Sequence, residues 1–315
     1  MEGVVWDIRI VIDQFFGGVG IALFLFSIIL SYYNKGLYHK LIRVSAYLAP
    51  IIAGIGLFAL ATELGKPFRM VLSFFLINPQ SVTSWGGLIQ GAFVTVACVY
   101  ALLLYMNKDD GSLYNGVRIA GAFLAVAMGV YHGLLLTSLG RPLWADGSIV
   151  VLFLTASMAG GIACVLLLKV LLRETVVSQE SSAESTELLK AYKEVAATTE
   201  KNKTFNFNGV LFTLIFVQML AIISWFMAMN RGTRYQIESI QTMLAEYGIA
   251  FWIVAVIIGG LLPLAISLYQ LATGANRTIP KGLATVIFAA VIVGSFALKF
   301  IILEAGQIEI PIQLL

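Results

Sequence analysis

Ionisable side chains set inside or at the ends of long apolar runs are the residues of this chain that call for a chemical reason. Tyr131 and His132 are adjacent near the end of one run, Asp13 and Gln14 near the start of another, and Lys299 and Glu304 near the end of the last. Glu63 and Arg69 flank the end of a further run, and Arg141 follows the one that holds His132. A charged side chain at the centre of a membrane helix costs roughly 2.5–3.5 kcal/mol on insertion scales, so each one must be offset. Tyrosine and histidine donate to carbonyl oxygens, and histidine or a carboxylate takes up protons. Such a set suits a lipid-soluble carrier such as a quinone, whose two oxygens need hydrogen bonds and gain or lose protons in turnover. An apolar slot between helices would hold its ring and tail. The expected quinone contacts are Tyr131, His132, Asp13 and Gln14. The expected proton-transfer groups are Glu63, Arg69, Arg141, Lys299 and Glu304. A plainer reading competes: charged groups near helix ends snorkel to the headgroups without partners, and it is favoured for Arg9, Arg69 and Glu304. Neighbouring helical residues lie about 100° apart, so Tyr131 and His132 need not line one pocket.

The elements that would position these groups follow from composition. Of 315 residues, 59% are hydrophobic and 12% charged, against about 25% charged in a soluble domain. The chain is therefore read as an integral membrane protein. The two cysteines, Cys98 and Cys164, sit far apart in apolar runs and offer neither a disulfide scaffold nor a metal or iron–sulfur site, and a net charge of +3 is too weak to argue for nucleic acid. Eight runs are long enough to cross a bilayer as helices: 12–33, 42–62, 83–106, 114–137, 147–172, 206–229, 247–271 and 281–303. None alternates with period two, which excludes a β-barrel. Met1-Glu2-Gly3 lacks a basic region and no small-residue cleavage site follows, so the first run is expected to stay as a span.

Thirteen lysines and arginines fall on one side of this layout and six on the other, with Lys299 inside the last span. The positive-inside rule puts the thirteen in the cytoplasm and both termini outside. The titratable groups then gather toward the outer leaflet, with Gln90 and Gln218 deeper. The fold class expected is all-α and eight-spanning, in two packed bundles. Residues 1–173 form helices 1–5, with the quinone-site bundle in helices 1–4; residues 174–205 form a charged cytoplasmic linker, and residues 206–315 form helices 6–8.

Leu64-Gly65-Lys66-Pro67 after the second span is echoed by Leu139-Gly140-Arg141-Pro142 after the fourth. Glycine followed by proline is a helix stop in both. The two histidines, His39 and His132, fall at opposite membrane levels and are too far apart to ligate one haem between them. Gly17-Gly18-Val19-Gly20 lies inside an apolar helix, where close helix packing accounts for it better than a nucleotide loop.

Several strings together resemble the NrfD/PsrC family, the membrane subunits of polysulfide reductase and its relatives. They are Gly17, Gly18 and Gly20; Leu64-Gly65-Lys66-Pro67 with Arg69; Asn78-Pro79 with Ser84-Trp85-Gly86; Tyr131-His132-Gly133-Leu134-Leu135 leading to Arg141-Pro142-Leu143-Trp144; and Lys299 with Gly306-Gln307. The resemblance implies an eight-helix subunit without haem or cluster of its own. It would bind menaquinol near the outer ends of the first four helices and dock on an iron–sulfur subunit that serves a molybdopterin catalytic subunit. It also implies that Tyr131 matches the family's quinone-contacting tyrosine, and that Glu63, Arg69 and Arg141 match its outer polar motifs. Where family members place a histidine or asparagine in the first span, this chain offers Asp7, Asp13 and Gln14, and His132 is expected to supply the imidazole from the fourth. Two other readings compete: a secondary ion or proton transporter, disfavoured because such sites commonly sit at midplane in interrupted helices, and a purely structural anchor. The terminal substrate belongs to another subunit's chemistry and is not written in this one.

Overall fold

The computed structural model describes residues 6–63, 80–180, 204–273 and 280–308, with the side chains of 173–180 left aside. Eight helices long and apolar enough to cross a membrane make up the described residues: α1 (Ile8–Asn34), α2 (His39–Glu63), α3 (Val82–Tyr105), α4 (Ser112–Thr137), α5 (Ser148–Glu180), α6 (Phe207–Arg231), α7 (Arg234–Ala272) and α8 (Lys281–Ala305). Local chemistry sets several starts. Ser81 accepts from the Ser84 amide at α3, Asn206 from Gly209 at α6, and Asp146 from Ser148 at α5, each satisfying an amide that the first helical turn leaves unpaired. Thr233 and Gln236 form a reciprocal capping box at α7.

Two expected boundaries move. The sequence places the seventh span at 247–271, whereas α7 begins at Arg234 and runs 39 residues. The capping box starts the helix early, and Arg234, Glu238 and Glu246 keep that portion too polar to read as a span. At 1.5 Å per residue, the whole exceeds a hydrocarbon core of about 30 Å, so the early turns stand beyond it. Likewise α5 continues past the expected 172 to Glu180.

Within α7, residues Ala250–Leu261 adopt a π-helix, a rare form that widens the turn. Pro263 follows it directly; lacking an N–H and crowding the carbonyl four residues back, it opposes regular α-helical bonding there. Gly259 in this stretch meets Gly294 of α8 backbone to backbone, and a Cβ on Gly294 would lie 3.0 Å from the Gly259 nitrogen.

Packing closes two four-helix rings. In the first, α1 packs on α2, α2 on α3, α3 on α4, and α4 returns to α1. In the second, α5 packs on α6, α6 on α7, α7 on α8, and α8 returns to α5. The rings meet where α1 lies against α5 and α8 and where α4 lies against α5; α1, packed on helices of both rings from two sides, is the central helix. Its glycines point three ways. A Cβ at Gly17 would strike Met128 of α4 at 2.7 Å, one at Gly18 would crowd Lys299 of α8 at 2.9 Å, and one at Gly20 would strike Ala53 of α2 at 2.8 Å. The helix-packing reading of this string therefore has a specific form: each glycine admits a different neighbour. Large apolar side chains such as Phe58, Ile119, Phe123, Ile223 and Val293 are exposed on the outer faces, as a hydrocarbon solvent requires.

Successive helices alternate in direction, so the ends of α1 define two levels. At the Asn34 end, Phe24 packs edge-on against Phe93 and Tyr100, and Arg118 lies over the ring of Tyr32 at 3.6 Å. Lys35 there pairs with Asp109 at 3.0 Å in the α3–α4 connection. At the Ile8 end, Trp6 stacks on Trp144 with centroids 6.0 Å apart, and the Trp144 indole donates to the Ile302 carbonyl of α8 at 2.7 Å. The Trp6 backbone donates to the Gln307 side chain, and the Gln307 amide returns a bond to the Trp6 carbonyl at 3.1 Å. The first and last described segments are thus tied together beside the short turn Pro142–Trp144.

Candidate functional site

One polar layer crosses the interior about two turns from the Ile8 end of α1. Asp13, four residues N-terminal to Gly17, faces α3 and α4. The Gln90 side-chain nitrogen of α3 donates to both Asp13 oxygens, at 2.9 and 3.1 Å. The same nitrogen lies 3.3 Å from His132 Nε2 of α4. Asp13, Gln90 and His132 are all buried, His132 at 1% exposure. The His132 ring fits because Gly17 has no side chain: a Cβ there would sit 3.1 Å from its Cε1.

On the other side of α1 the layer continues into the second ring. Lys299 of α8, buried at 1% exposure, donates to the Gln14 backbone carbonyl at 2.7 Å and to Ser157 Oγ of α5 at 2.8 Å. Its ammonium lies 5.4 Å from the centre of the Phe153 ring. Ser157 in turn donates to the Phe153 carbonyl at 2.8 Å. Among the described residues, no carboxylate lies within ion-pair distance of Lys299. The cation is held by two oxygens and an aromatic face, contacts that offset part of its desolvation. Gly18 makes room for it, as Gly17 does for His132.

Among the described residues, four polar atoms of this layer are buried without a hydrogen-bond partner: His132 Nδ1, Gln90 Oε1, and both side-chain polar atoms of Gln14. Buried polar atoms of native proteins are nearly always paired, so each of these four calls for a partner, whether a side chain, a water or a ligand.

The expected quinone contacts therefore divide. Asp13 and His132 come together through Gln90, and Gln14 shares the layer through its backbone. Tyr131 lies beside them: its ring and hydroxyl press on Gly86 at the start of α3, one turn from Gln90, where any Cβ would overlap them. Its ring centroid stands 6.3 Å from that of His132. This contact gives the Trp85-Gly86 string a physical reason.

The expected proton-transfer groups are more scattered. Glu63 forms an ion pair with Arg9 at 2.7 Å at the rim. Arg9 also bonds Asp7 at 2.9 Å and the Thr62 carbonyl at 2.8 Å, so it is not the unpartnered snorkelling residue the sequence suggested. Arg141 precedes the short turn at the same end and is half-buried, as is Glu304 in the last turn of α8. Arg69, with the Leu64-Gly65-Lys66-Pro67 string, lies outside the described residues. His39 is exposed at the first residue of α2, at the Asn34 level, whereas His132 is buried near the other.

Sequence reasoning noted Gln90 only as a deep polar residue and passed over Ser157. The signal for Gln90 was available, since an amide eight residues into an apolar span needs a partner. Ser157 carried none, because serine in a membrane helix satisfies itself on its own backbone.

An eight-span helical bundle with a polar layer around a central glycine-rich helix defines the class, and comparison gives the family. Residues 1–311 match the family described as polysulphide reductase, NrfD. The protein belongs to that family and is a multi-pass membrane protein. It is similar to the C subunit of polysulfide reductase from Wolinella succinogenes, 23% identical over 325 residues that cover 96% of this sequence and 95% of that protein. It also resembles the protein NrfD homolog of Haemophilus influenzae, 21% identical over 333 residues covering 97% and 95%.

Proposed function

We propose that this protein is the quinol-binding membrane subunit of a respiratory oxidoreductase in the cytoplasmic membrane. It passes electrons between menaquinol and an attached iron–sulfur subunit, which serves a molybdopterin catalytic subunit. Similarity to a polysulfide reductase subunit over almost its full length supports assembly with reductase partners. The single observation that carries the quinol reading is the set of orphaned polar atoms on His132, Gln90 and Gln14, buried beside a carboxylate. A two-oxygen ring with an apolar tail fits such a set: its oxygens both give and accept hydrogen bonds.

When bound, the quinol supplies two electrons and two protons. The residues of this protein bind and orient it and handle the protons. His132 offers a ring nitrogen to one oxygen, and Asp13 holds a carboxylate within one amide of that ring, able to take a proton at Oδ1 or Oδ2. Lys299, on the far side of α1, supplies positive charge to the layer. Tyr131 contributes a phenol on the same turn of α4 as His132. Arg141, Glu304 and the Arg9–Glu63 pair line the route from this layer to the Ile8 end. The excess of basic residues at the Asn34 end supports an extracytoplasmic Ile8 end, with both termini outside.

The test is reduction of the partner's clusters by a menaquinol analogue in the purified complex. Asp13→Asn is expected to lower that rate by about 10²-fold or more, the usual worth of a proton-handling group, and His132→Ala by about tenfold or more, the worth of a lost hydrogen bond, while assembly stays intact. Unchanged rates in both variants would defeat the reading.

A further inference from the structure

The Gln90 amide faces two acceptors at once, and that arrangement dictates where a proton sits on His132. A side-chain amide nitrogen carries two hydrogens. With Gln90 Nε2 at 2.9 and 3.1 Å from the Asp13 oxygens, one hydrogen is engaged by the carboxylate. The other is directed to His132 Nε2 at 3.3 Å. An N–H can be accepted there only by a bare ring nitrogen. A proton on Nε2, whether in the neutral Nε2–H form or the imidazolium, would set N–H against N–H. The remaining ring nitrogen, Nδ1, must then carry the hydrogen, and Nδ1 is buried with no partner among the described residues.

We infer that Gln90 is a positioning residue: clamped by Asp13, it fixes His132 in the Nδ1–H form, so that His132 meets its ligand as a hydrogen-bond donor through Nδ1. Free histidine prefers the opposite neutral form, so the protein inverts an intrinsic preference, and the second-neighbour carboxylate is what orients the amide. The ligand class is an oxygen acceptor, a quinone carbonyl, and in that respect the inference rests on the quinol reading. The tautomer does not: it follows from three side chains. Gly17 is part of the same device, since a Cβ there would lie 3.1 Å from Cε1 and 3.5 Å from Nε2 of the ring.

Nitrogen-15 solid-state NMR of the full-length protein, reconstituted in bilayers with labelled histidine in mildly alkaline buffer, tests it. The sequence has only His39 and His132, and His39→Gln at the opposite, exposed end leaves one labelled ring. The expected spectrum shows Nδ1 protonated and Nε2 bare. Gln90→Leu, which removes the amide at similar size, is expected to move the population to Nε2–H and to weaken binding of a menaquinone analogue about tenfold, the equivalent of one lost hydrogen bond. A wild-type spectrum with Nε2 protonated overturns the inference even if Gln90→Leu fails to fold. So does a Gln90→Leu spectrum identical to wild type. Adding the menaquinone analogue separates the two readings. A shifted Nδ1 signal supports both. An Nδ1–H form that the analogue leaves untouched keeps the tautomer and removes the quinone from it. A shifted ring that starts as Nε2–H keeps the quinone and removes the role of Gln90.

Discussion

The two four-helix rings handle buried polarity in different ways. The first, α1–α4, buries Asp13, Arg118 and His132 and joins helices through side-chain hydrogen bonds, Gln90 to Asp13 above all. Among the described residues the second, α5–α8, buries one charged side chain, Lys299, whose ammonium donates both to Ser157 within the ring and to the Gln14 carbonyl of α1 outside it. Its helices are joined by backbone contact between Gly259 and Gly294 and by aromatic packing of Trp225, Phe226 and Phe251. In a membrane the apolar effect does little to bring helices together, so close contact or polar bonds must do it. The first ring sets its polar bonds beside buried titratable groups, which also make chemistry available; the second adds to its contacts the bonds from Lys299 to Ser157 and from Ser295 to the Ala156 carbonyl, between α8 and α5. Asp13, His132 and Lys299 gather in one layer around α1, and Arg118 is buried apart from them at the Asn34 end.

Matched glycine substitutions strain that contrast most. Gly294→Ala forces a methyl into the Gly259 backbone, and Gly18→Ala forces one into Ser157 and Lys299. Each is expected to destabilise by about 1–3 kcal/mol, the usual penalty of overpacking, read as a lower melting temperature in detergent. Only Gly18→Ala is expected to slow quinol oxidation per folded molecule, about tenfold or more by displacing the Lys299 ammonium from its two oxygens. Equal loss of activity in Gly294→Ala would erase the distinction. Gly54→Ala in α2 is the control, since its Cβ meets nothing within 4 Å; it should leave stability unchanged or raise it by up to about 1 kcal/mol.

A smaller effect is expected where the rings are latched. Trp144→Phe keeps an aromatic ring against Trp6 but loses the indole donor to Ile302, leaving a carbonyl of α8 short of a bond. About 1 kcal/mol of stability should go with it, measurable by chemical denaturation. The double change Trp144→Phe with Gln307→Ala should cost less than the sum of the two if the latch acts as a unit, because either change alone already breaks it.

The smallest effect concerns pH at the Asn34 end. The hydrogen bond from Lys35 holds Asp109 below its ordinary carboxylate value of 3.8. Burial alone would lower Lys35, but its bonds to Asp109 and Asp110 outweigh that and raise it above 10.5. A carboxyl depressed on folding stabilises above its unfolded value and loses that contribution as pH falls through the depressed one; a raised lysine stabilises below its unfolded value and loses it as pH rises through the raised one. Protection against hydrogen exchange in the α3–α4 connection, taken relative to the intrinsic amide rate at each pH, should therefore be flat between about pH 5 and 10 and fall at both extremes. Lys35→Met should remove the acid limb, and an unaltered acid limb would assign it to another group.

The spans were legible because each carries some twenty apolar residues, and the level of the polar layer was legible because Asp13, His132 and Lys299 sit at similar depths from their helix ends. Which of them meet was not. Helical spacing gives a direction for each side chain but no rotation for one helix against another, so Gln90 between Asp13 and His132 could not be read. Glu63 looked like a member of the layer because it is acidic and near it, yet Arg9 claims it. The early turns of α7 were missed because their polar residues, set against a capping box, lower hydropathy without breaking the helix. The glycines of α1 announced close packing, and only their neighbours revealed that each opens toward a separate helix.

The bond from Lys299 to Gln14 spans 285 positions of sequence, and that distance sets a timetable. A ribosome makes α1 first and α8 last, so the carbonyl that receives the ammonium waits until nearly the whole polypeptide has entered the bilayer. Until then the Asp13 side of α1 must be sheltered by early-made helices alone. Truncation before Lys281 would leave a protein able to insert yet missing the cation its first helix was built around, and quality control would meet it as an orphaned half.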